Sequence, residues 1–250
     1  MIELIIYYAI GIIFLVFGAF TFITLLFKTA GYGRHAKGGL DYILAWAIME
    51  AVPLVVYLIF YFIGDRILNP VAIVFMVLFC GHYVQRAFIF PFITRGKEFI
   101  PWSIMLTAIV FNSTNGYLIS RWNNHFGPVL GIEWFVSPQF IIGIIIFAAG
   151  MIINLHSDHI LRNLRDPGES ETEYKIPRGG VFRFVSCGNY FGEIVEWWGY
   201  AILTWSFGAL VFALWVMANL VPRALSHHKW YKEKFPDYPK NRKAVFPFIL

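Results

Sequence analysis

The stretch Pro138–Arg165 reads PQFIIGIIIFAAGMIINLHSDHILRNLR, a long apolar run that ends in polar and charged side chains. Its apolar part, 138–160, is long enough to cross a hydrocarbon core of about 30 Å as a helix. The polar side chains that line one stripe of that helix, by their spacing, are Asn154, Asp158, Arg162 and Arg165. This stretch therefore predicts a membrane-spanning helix with a candidate functional site at its C-terminal end.

Four more apolar runs of about 20 residues precede it, near 4–27, 42–63, 70–93 and 101–120. The composition agrees, since 58% of the residues are hydrophobic and 14% are charged, whereas a soluble domain usually has about a quarter charged residues. A last apolar stretch, Tyr190–Pro222, is about 33 residues long. That length is too great for one untilted span and barely enough for two short ones.

Basic residues decide between one span and two. The first, third and fifth connections and the tail are rich in Lys and Arg, whereas the second and fourth hold only Arg66 and Arg121. The positive-inside rule then places the N-terminus outside and the tail in the cytoplasm. The last stretch must cross twice, with a bend at Thr204–Ser206. The predicted fold class is all-α, a polytopic membrane protein with seven transmembrane helices in one domain, 1–250.

Several functions are disfavoured by composition and motifs. The formal charge of +5 suits an anionic membrane surface or a phosphorylated ligand better than nucleic acid. Cys80 and Cys187 lie in or beside apolar stretches and are predicted to be packing residues. The pair His227-His228 has no Cys, Asp or Glu in its segment to complete a ligand set, so no metal is predicted. Because the chain has no Gly-x-Gly-x-x-Gly or Walker-type loop, a nucleotide must be held by side chains.

Two polar groups at membrane depth suggest a reaction site, because a charge there is costly. Glu50 lies mid-span with no charge within a helical turn, and is either a structural hydrogen-bond partner or a proton-holding or carbonyl-directing acid. In 81–86, His82 and Arg86 share a helix face and Tyr83 projects about 100° away. Tyr83 and Arg86 also fit interfacial anchoring and snorkelling.

Polar residues of the C-terminal half suit a nucleotide. Asp158 offers a carboxylate for hydroxyl or amide donors, and the arginines that follow offer guanidinium groups for phosphate. The alternative is a solvated helix end with an Asp–Arg pair. Asn189, Glu193 and Trp197 fall four residues apart and fit a polar pocket floor. The tail 222–231 mixes cations and aromatics, which is also typical of interfacial anchoring.

These residues occur in an ordered set of motifs that resembles the steroid 5α-reductase (3-oxo-5α-steroid 4-dehydrogenase) family, and more closely its bacterial members. The motifs are Glu50, His82-Tyr83 with Arg86, 154–158 (NLHSD), 161–165 (LRNLR), 174–180 (YKIPRGG), 189–197 (NYFGEIVEW), 227–231 (HHKWY) and 237–243 (DYPKNRK). The stretch 181–188 departs from the pattern at Arg183 and Cys187.

The resemblance implies an NADPH-dependent reductase acting on the C=C bond of a 3-keto-4-ene steroid or steroid-like lipid. It implies that 1–135 mainly forms the substrate cavity and 136–250 mainly binds NADPH. Glu50 and Tyr83 are expected to bind the 3-keto oxygen, and Glu193 and Trp197 to line the substrate side of the nicotinamide. The expected NADPH ligands are Asn154, Asp158, Arg165, Asn189, Arg223, His227 and Tyr231, with Arg86, Arg95, Tyr174, Lys175 and Arg178 around the phosphates.

The implied chemistry explains why these residue types are needed. Hydride attacks the β-carbon of an enone only if charge arriving on the carbonyl oxygen is stabilised by donors. Tyr83 donates directly, and Glu50 donates as the neutral acid that apolar surroundings favour. The protein is expected to be a monomer embedded in the bilayer, in the inner membrane of a bacterium or the endoplasmic reticulum of a eukaryote.

Two other functions remain open from the residues alone. A membrane methyltransferase of the isoprenylcysteine type also packs helices around a nucleotide-like cofactor, S-adenosylmethionine, and needs no acid at Glu50. A transporter would use Glu50, Arg86 and Asp158 as an ion or proton path. Against transport, the polar residues gather on the predicted cytoplasmic side and no inverted repeat is visible.

Overall fold

The computed structural model describes residues 1–28, 38–94, 99–164 and 174–250. These residues are mainly helical. The helices are α1 (Ile2–Phe27), α2 (Tyr42–Phe62), α3 (Pro70–Val84), α4 (Phe90–Ile93), α5 (Trp102–Arg121), α6 (Pro138–Arg162), α7 (Gly188–Thr204) and α8 (Phe207–Lys234). Two π-helical turns, Gln85–Ile89 and Trp122–Phe126, follow α3 and α5, and two 3₁₀ turns cover Ile132–Val136 and Gly180–Arg183. Strands β1 (Leu40–Asp41) and β2 (Phe99–Ile100) pair antiparallel.

Within the described ranges, five helical segments are long and apolar enough to cross a membrane. They are Ile2–Phe27, Tyr42–Phe62, Pro70–Ile93, Pro138–Arg162 and Phe207–Lys234. Large apolar side chains such as Ile12 and Phe20 are more than half exposed, which suits lipid-facing surfaces. The predicted all-α, polytopic membrane class is confirmed. Helices α5 and α7, which fall in predicted spans, are not among the five.

The break between α7 and α8 lies where the bend was predicted. Helix α7 ends at Thr204, Trp205 has a positive φ of 48°, and α8 begins at Phe207. A left-handed backbone at a non-glycine residue is unfavourable within a helix, so the helical hydrogen-bond pattern cannot continue through Trp205. The Ser206 hydroxyl accepts from Ala209 N at 3.3 Å and so caps the new helix.

The chain forms two compact units. The first unit consists of Met1–Gly11, Gly31–Ile141 and Thr204–Leu210, and the second of Ile12–Ala30, Ile142–Leu203 and Val211–Leu250. Their main boundary falls close to the predicted functional division at 135/136. What each half of that division does stays a prediction.

In the first unit, α5 repairs a hydrogen bond that a proline removes from α2. Pro53 lies inside α2 and has no N–H to give to the carbonyl of Met49, four residues earlier. The Asn112 side chain of α5 donates to that carbonyl instead, with Nδ2 2.7 Å from the Met49 oxygen. Gly116, one turn further, faces the Pro53 carbonyl and lets the two backbones approach closely. Proline is therefore tolerated here because α5 supplies the missing donor.

Replacing Asn112 by leucine is expected to destabilise the protein by about 1–3 kcal/mol, because the Met49 carbonyl then has no donor in a buried position. Thermal unfolding in detergent measures the loss. Thr107→Val is the control on the same helix, since the Thr107 hydroxyl is exposed and bonds only within α5. Equal melting temperatures for Asn112→Leu and Thr107→Val contradict this account.

Arg66 fixes the turn after α5. Its guanidinium donates to the carbonyls of Asn123 (3.0 Å), Pro128 (3.2 Å), His125 (2.8 Å) and also Gly127. These carbonyls lie at or after the π-helical turn and have lost their helical partners, so the planar guanidinium satisfies several at once. The structure explains why the second connection keeps a basic residue.

In the second unit, glycines spaced seven apart let α6 and α7 pack backbone to backbone. Gly150 of α6 faces the Gly192 carbonyl, and a Cβ added there would lie 2.7 Å from that oxygen. A Cβ at Gly199 would meet the Cα of Phe147 at 2.6 Å. Small residues are typical where transmembrane helices approach closely. This contact brings the end of α6 close to the start of α7, where Asn154 donates to the Asn189 carbonyl.

Gly150→Ala is expected to lower stability by about 1–3 kcal/mol, because the added methyl group has no room and forces α6 and α7 apart. Gly81→Ala is the matched control, since a Cβ at this α3 position meets nothing within 4 Å. The control should be neutral or slightly stabilising, because alanine favours helices more than glycine does. Thermal melts of the two variants decide the matter, and a Gly150→Ala protein as stable as Gly81→Ala refutes close packing.

The C-terminal tail docks on the turn before α7. Ser186 N and Cys187 N donate to the carbonyls of Lys243 (2.9 Å) and Ala244 (3.1 Å), and Lys243 N donates back to Phe184 O at 2.9 Å. The Ser186 hydroxyl also lies 2.6 Å from the hydroxyl of Tyr238. These backbone bonds fix the tail beside the start of α7 within the second unit.

Candidate active site

Glu50 has a basic and an imidazole side chain near it that its own helix does not provide. It lies half-buried on α2, three residues before Pro53. Arg86 and His82 lie close enough to act on its carboxyl electrostatically. They come from α3 and the π-helical turn after it, so a neighbouring segment supplies what the sequence around Glu50 lacks.

Tyr83 is buried in the same unit, with 3% of its surface exposed. Its ring packs against those of Phe79, at 4.7 Å, and His82, at 5.0 Å between centroids. Its hydroxyl accepts a hydrogen bond from Asn115 Nδ2 of α5 at 3.0 Å. The first unit thus fixes the Tyr83 hydroxyl by packing and by an amide donor.

Arg86 lies in the π-helical turn that directly follows α3. Its guanidinium carbon lies 4.2 Å from the centre of the Phe90 ring and 5.4 Å from that of Trp46. The Trp46 indole N–H donates to the Arg86 carbonyl at 3.1 Å. These aromatic faces pack against the guanidinium and hold it in place. π-Helical turns are frequent at functional sites because they redirect side chains.

In the second unit, Asn154 and Asp158 are buried near the end of α6, with 4% and 8% of their surfaces exposed. Asn154 Nδ2 donates to the carbonyl of Asn189 at 2.9 Å and so ties α6 to the start of α7. Ser157, beside them, has a buried hydroxyl without a hydrogen-bond partner among the described residues. An unsatisfied buried hydroxyl next to an amide and a carboxylate suits a polar ligand.

The predicted residues of α7 differ in environment. Asn189 and Glu193 are half-buried, while Trp197 is fully buried and meets the rings of Tyr200 and Phe212 edge-on. Glu196 is fully buried as well. Helix α7 therefore combines a packed aromatic side with acids and an amide.

The end of α6, the segment that begins at Tyr174 and part of the tail line a cavity of about 670 Å³. Its lining includes His159, Asn163, Tyr174, Lys175, Arg178 and Asp237. Arg178 and Asp237 lie 3.9 Å apart, with side chains 70% and 71% exposed, so this ion pair adds little stability. Lys175 and Arg178 are thus cations at an open cavity of the second unit.

Helix α8 carries the remaining predicted ligands. Arg223 Nε donates to Asn219 Oδ1 at 2.6 Å, which holds the guanidinium against its own helix. The ring of His227 lies 6.0 Å from that of Tyr190 at the start of α7. Tyr231 is half-buried and stacks on Tyr238 of the tail at 5.3 Å. The predicted ligands Arg95 and Arg165 lie outside the described residues.

The two positions that depart from the family pattern differ in solvent exposure. Arg183 is exposed, whereas Cys187 is buried and its N–H bonds to the tail. Burial raises the pKa of the Cys187 thiol to about 12. A thiol with so high a pKa stays protonated near neutral pH and is a poor nucleophile, in agreement with the predicted packing role.

Three residues that support these groups were not predicted: Asn112, Asn115 and Ser157. The signal for the two asparagines is present in the sequence, since amides inside an apolar run at 101–120 are costly unless they bond across helices. Their spacing of three residues on one helix face adds to that signal. Ser157 has no comparable signal, because serine is common near helix ends.

The second unit fits a dinucleotide. It offers a buried carboxylate (Asp158), buried and half-buried amides (Asn154 and Asn189) and cations at an open cavity. Carboxylate suits hydroxyl donors, and cations suit phosphate oxygens. The orphaned Ser157 hydroxyl adds a further group that a polar ligand satisfies.

Comparison with known proteins gives clear matches. The family model described as 3-oxo-5-alpha-steroid 4-dehydrogenase matches residues 98–250. The chain is 44% identical over 238 residues to steroid 5-alpha-reductase DET2 of Solanum lycopersicum, covering 92% of this chain and 91% of that protein. It is 42% identical over 241 residues to 3-oxo-5-alpha-steroid 4-dehydrogenase 1 of Bos taurus, covering 93% of each. The human protein of the same name is 42% identical over 225 residues, covering 88% of this chain and 86% of that protein. These relatives are plant and mammalian, so the predicted closeness to bacterial members has no support in them.

Proposed function

Because this chain belongs to the 3-oxo-5-alpha-steroid 4-dehydrogenase family, we propose that it reduces the C=C bond of a 3-keto-4-ene steroid with NADPH. The observation that carries the proposal is the buried Tyr83 hydroxyl, fixed by Asn115, in the unit that also holds Glu50 beside Arg86. A hydroxyl and a carboxyl are the donors that a carbonyl oxygen needs when it takes up negative charge.

The first unit supplies the groups for the carbonyl. Tyr83 donates its phenol proton to the 3-keto oxygen, and Glu50 donates to it when it carries its own proton. Both interactions strengthen as charge moves from the β-carbon onto that oxygen, so they stabilise the transition state more than the ground state. The enolate then takes a proton at the α-carbon. Packing around Tyr83 keeps its hydroxyl oriented and keeps bulk water away.

The second unit supplies the groups for the cofactor, which provides the hydride when bound. Asp158, Asn154 and Asn189 bind its polar hydroxyl and amide groups, and Lys175, Arg178 and Arg223 bind its phosphates. Tyr174, His227 and Tyr231 add aromatic surface, and Glu193 and Trp197 are assigned to the substrate side of the nicotinamide. Arg165 stays a predicted ligand of NADPH, and Arg86 and Arg95 stay predicted ligands of its phosphates.

Within the first unit, contacts between connections support the seven-span arrangement, with α5 and α7 as the remaining spans. Strand β1 of the first connection pairs with β2 of the third, both predicted to face the cytoplasm. Arg66 of the second connection binds carbonyls of the fourth, both predicted outside. Arg121 pairs with Glu3 near the N-terminus at 2.7 Å, which suits an N-terminus on that same side.

Within the second unit, hydrogen bonds between the tail and the fifth connection bear on how often the last apolar stretch crosses the membrane. Val185 bridges to Lys243, and Cys187 N donates to Ala244 O. Because these two segments lie side by side, the chain returns to its starting side between them. This contact supports a pair of crossings by α7 and α8, and together with the positive-inside rule it favours an N-terminus outside and a C-terminus in the cytoplasm.

An NADPH oxidation assay with a panel of 3-keto enone steroids tests the proposal. Purified protein in detergent is expected to oxidise NADPH only when an enone is present, and the matching saturated 3-keto steroids serve as the control. Thermal melts with NADPH, NADH and S-adenosylmethionine accompany the assay, because a ligand of the native state raises the melting temperature. A response to S-adenosylmethionine alone favours the methyltransferase instead, and no response to any of the three refutes a nucleotide-dependent enzyme.

A further inference from the structure

Asn115 of α5 lies in an unusual position for an amide. Only 1% of its surface is exposed, and its Nδ2 donates to the Tyr83 hydroxyl oxygen at 3.0 Å. Its Oδ1 is buried and has no hydrogen-bond partner among the described residues. Burying an amide whose oxygen has no hydrogen-bond donor is costly. The hydrogen bond that its nitrogen makes to Tyr83 is therefore expected to have a function.

The direction of this hydrogen bond matters for chemistry. A phenol has one proton to donate and lone pairs with which to accept. Because the Asn115 amide fills an accepting site of Tyr83, the phenol proton is directed away from Asn115. Accepting a hydrogen bond also polarises the phenol O–H and makes it a stronger donor. Asn115 therefore orients the phenol O–H of Tyr83 and makes it a stronger hydrogen-bond donor.

The surroundings of Asn115 support a role beyond packing. The next residue, Gly116, packs against α2 at the Pro53 carbonyl, so the backbone of α5 is fixed at this point. Asn112, one turn earlier, already bonds α5 to α2 through the Met49 carbonyl. With the helix held by these contacts, Asn115 adds a bond to α3 that ends on the hydroxyl of a side chain.

We propose that Asn115 is the positioning residue of the carbonyl-binding pair: it acts through Tyr83 by presenting the phenol proton to the substrate ketone. This role rests on the proposed function. It assigns Asn115 no contact with the substrate, so its whole effect on the rate passes through the Tyr83 hydroxyl.

A double-mutant cycle tests the role. Asn115→Leu is expected to lower kcat about tenfold, the effect of losing one hydrogen bond to the donor, with KM for the steroid unchanged. In the Tyr83→Phe background the same change is expected to have no further effect on kcat, because the hydroxyl it orients is gone. Losses that multiply in the double variant overturn the proposal, as does an Asn115→Leu protein as fast as the wild type or faster.

Two further proteins separate positioning from folding. Asn115→Ala removes the same donor without adding bulk, and it must repeat the cycle if Asn115→Leu does not fold. Ser120→Ala removes a buried hydroxyl of α5 that donates to the Tyr57 carbonyl at 2.8 Å. It is expected to lower the melting temperature and leave kcat unchanged. A loss of kcat in Ser120→Ala equal to that in Asn115→Leu overturns the specific role of Asn115.

Failure of the function and failure of this role give different results. A wild-type protein that reduces no enone with NADPH refutes the proposed function and this role with it. A wild-type protein that is active, with Tyr83→Phe impaired and the losses multiplying, refutes the role of Asn115 alone. An active Tyr83→Phe protein refutes it too, because there is then no donor to position.

Discussion

Glu50→Leu and Tyr83→Phe are each expected to lower kcat by about 10²–10³-fold, the usual effect of removing one donor from an oxyanion site. Each change removes a proton donor to the ketone oxygen at the moment when charge develops there. Glu50→Gln is expected to keep part of the activity, because its amide still donates a hydrogen bond. Steady-state reduction of an enone steroid at saturating NADPH measures all three variants.

A tyrosine of the same unit provides the control for this series. Tyr61 is buried on α2, and its hydroxyl donates to the Ile67 carbonyl at 2.6 Å. Tyr61→Phe therefore removes a buried hydroxyl that has no part in the proposed site, and it is expected to keep its kcat. Full activity in Glu50→Leu refutes the assignment of the acid, whatever the control shows.

Replacing both Lys175 and Arg178 by glutamine is expected to raise KM for NADPH by about 10–100-fold, with a smaller change in kcat. The two cations are proposed to make charge-assisted hydrogen bonds to phosphate that together contribute about 1.5–3 kcal/mol, because solvent screens charges at an open cavity. Added salt is expected to raise the wild-type KM but to change that of the double variant less, since screening acts on the removed charges. Initial rates over a range of NADPH and salt concentrations measure both effects.

Lys229→Gln is the matched control for the loss of charge. Lys229 is an exposed cation of the same unit that lies 3.9 Å from Glu233 and does not line the cavity. Its KM for NADPH should match that of the wild type. If Lys229→Gln raises KM for NADPH as much as the double variant does, the effect comes from general surface charge and not from a phosphate site.

The helices were predictable from the sequence because hydropathy is a local property. The run at 138–160 became α6 (Pro138–Arg162), and the bend at Thr204–Ser206 became the break between α7 and α8. Local signals do not reveal what a helix meets. The repair of the Met49 carbonyl by Asn112 depends on a residue 63 positions away. Within the π-helical turn Gln85–Ile89, the Arg86 carbonyl likewise accepts a hydrogen bond from Trp46, 40 positions away in the sequence.

The sequence predicted which residue types form the candidate site, but not which side chains lie beside each of them. Glu50 stood alone in its span, and only the fold brings Arg86 and His82 beside it. Tyr83 was a candidate donor, but the direction of its hydroxyl depends on Asn115 from another helix. The assignments to individual residues stay predictions, since they rest on the family resemblance and on this geometry.

The transfer of deuterium from NADPH that carries two deuterium atoms at nicotinamide C4 to a 3-keto-4-ene steroid tests the central claim most directly. The account predicts a saturated 3-keto product with deuterium at the β-carbon and a solvent proton at the α-carbon, formed at least 10²-fold more slowly by Tyr83→Phe. A product with solvent hydrogen at the β-carbon, or equal rates for wild type and Tyr83→Phe, contradicts it.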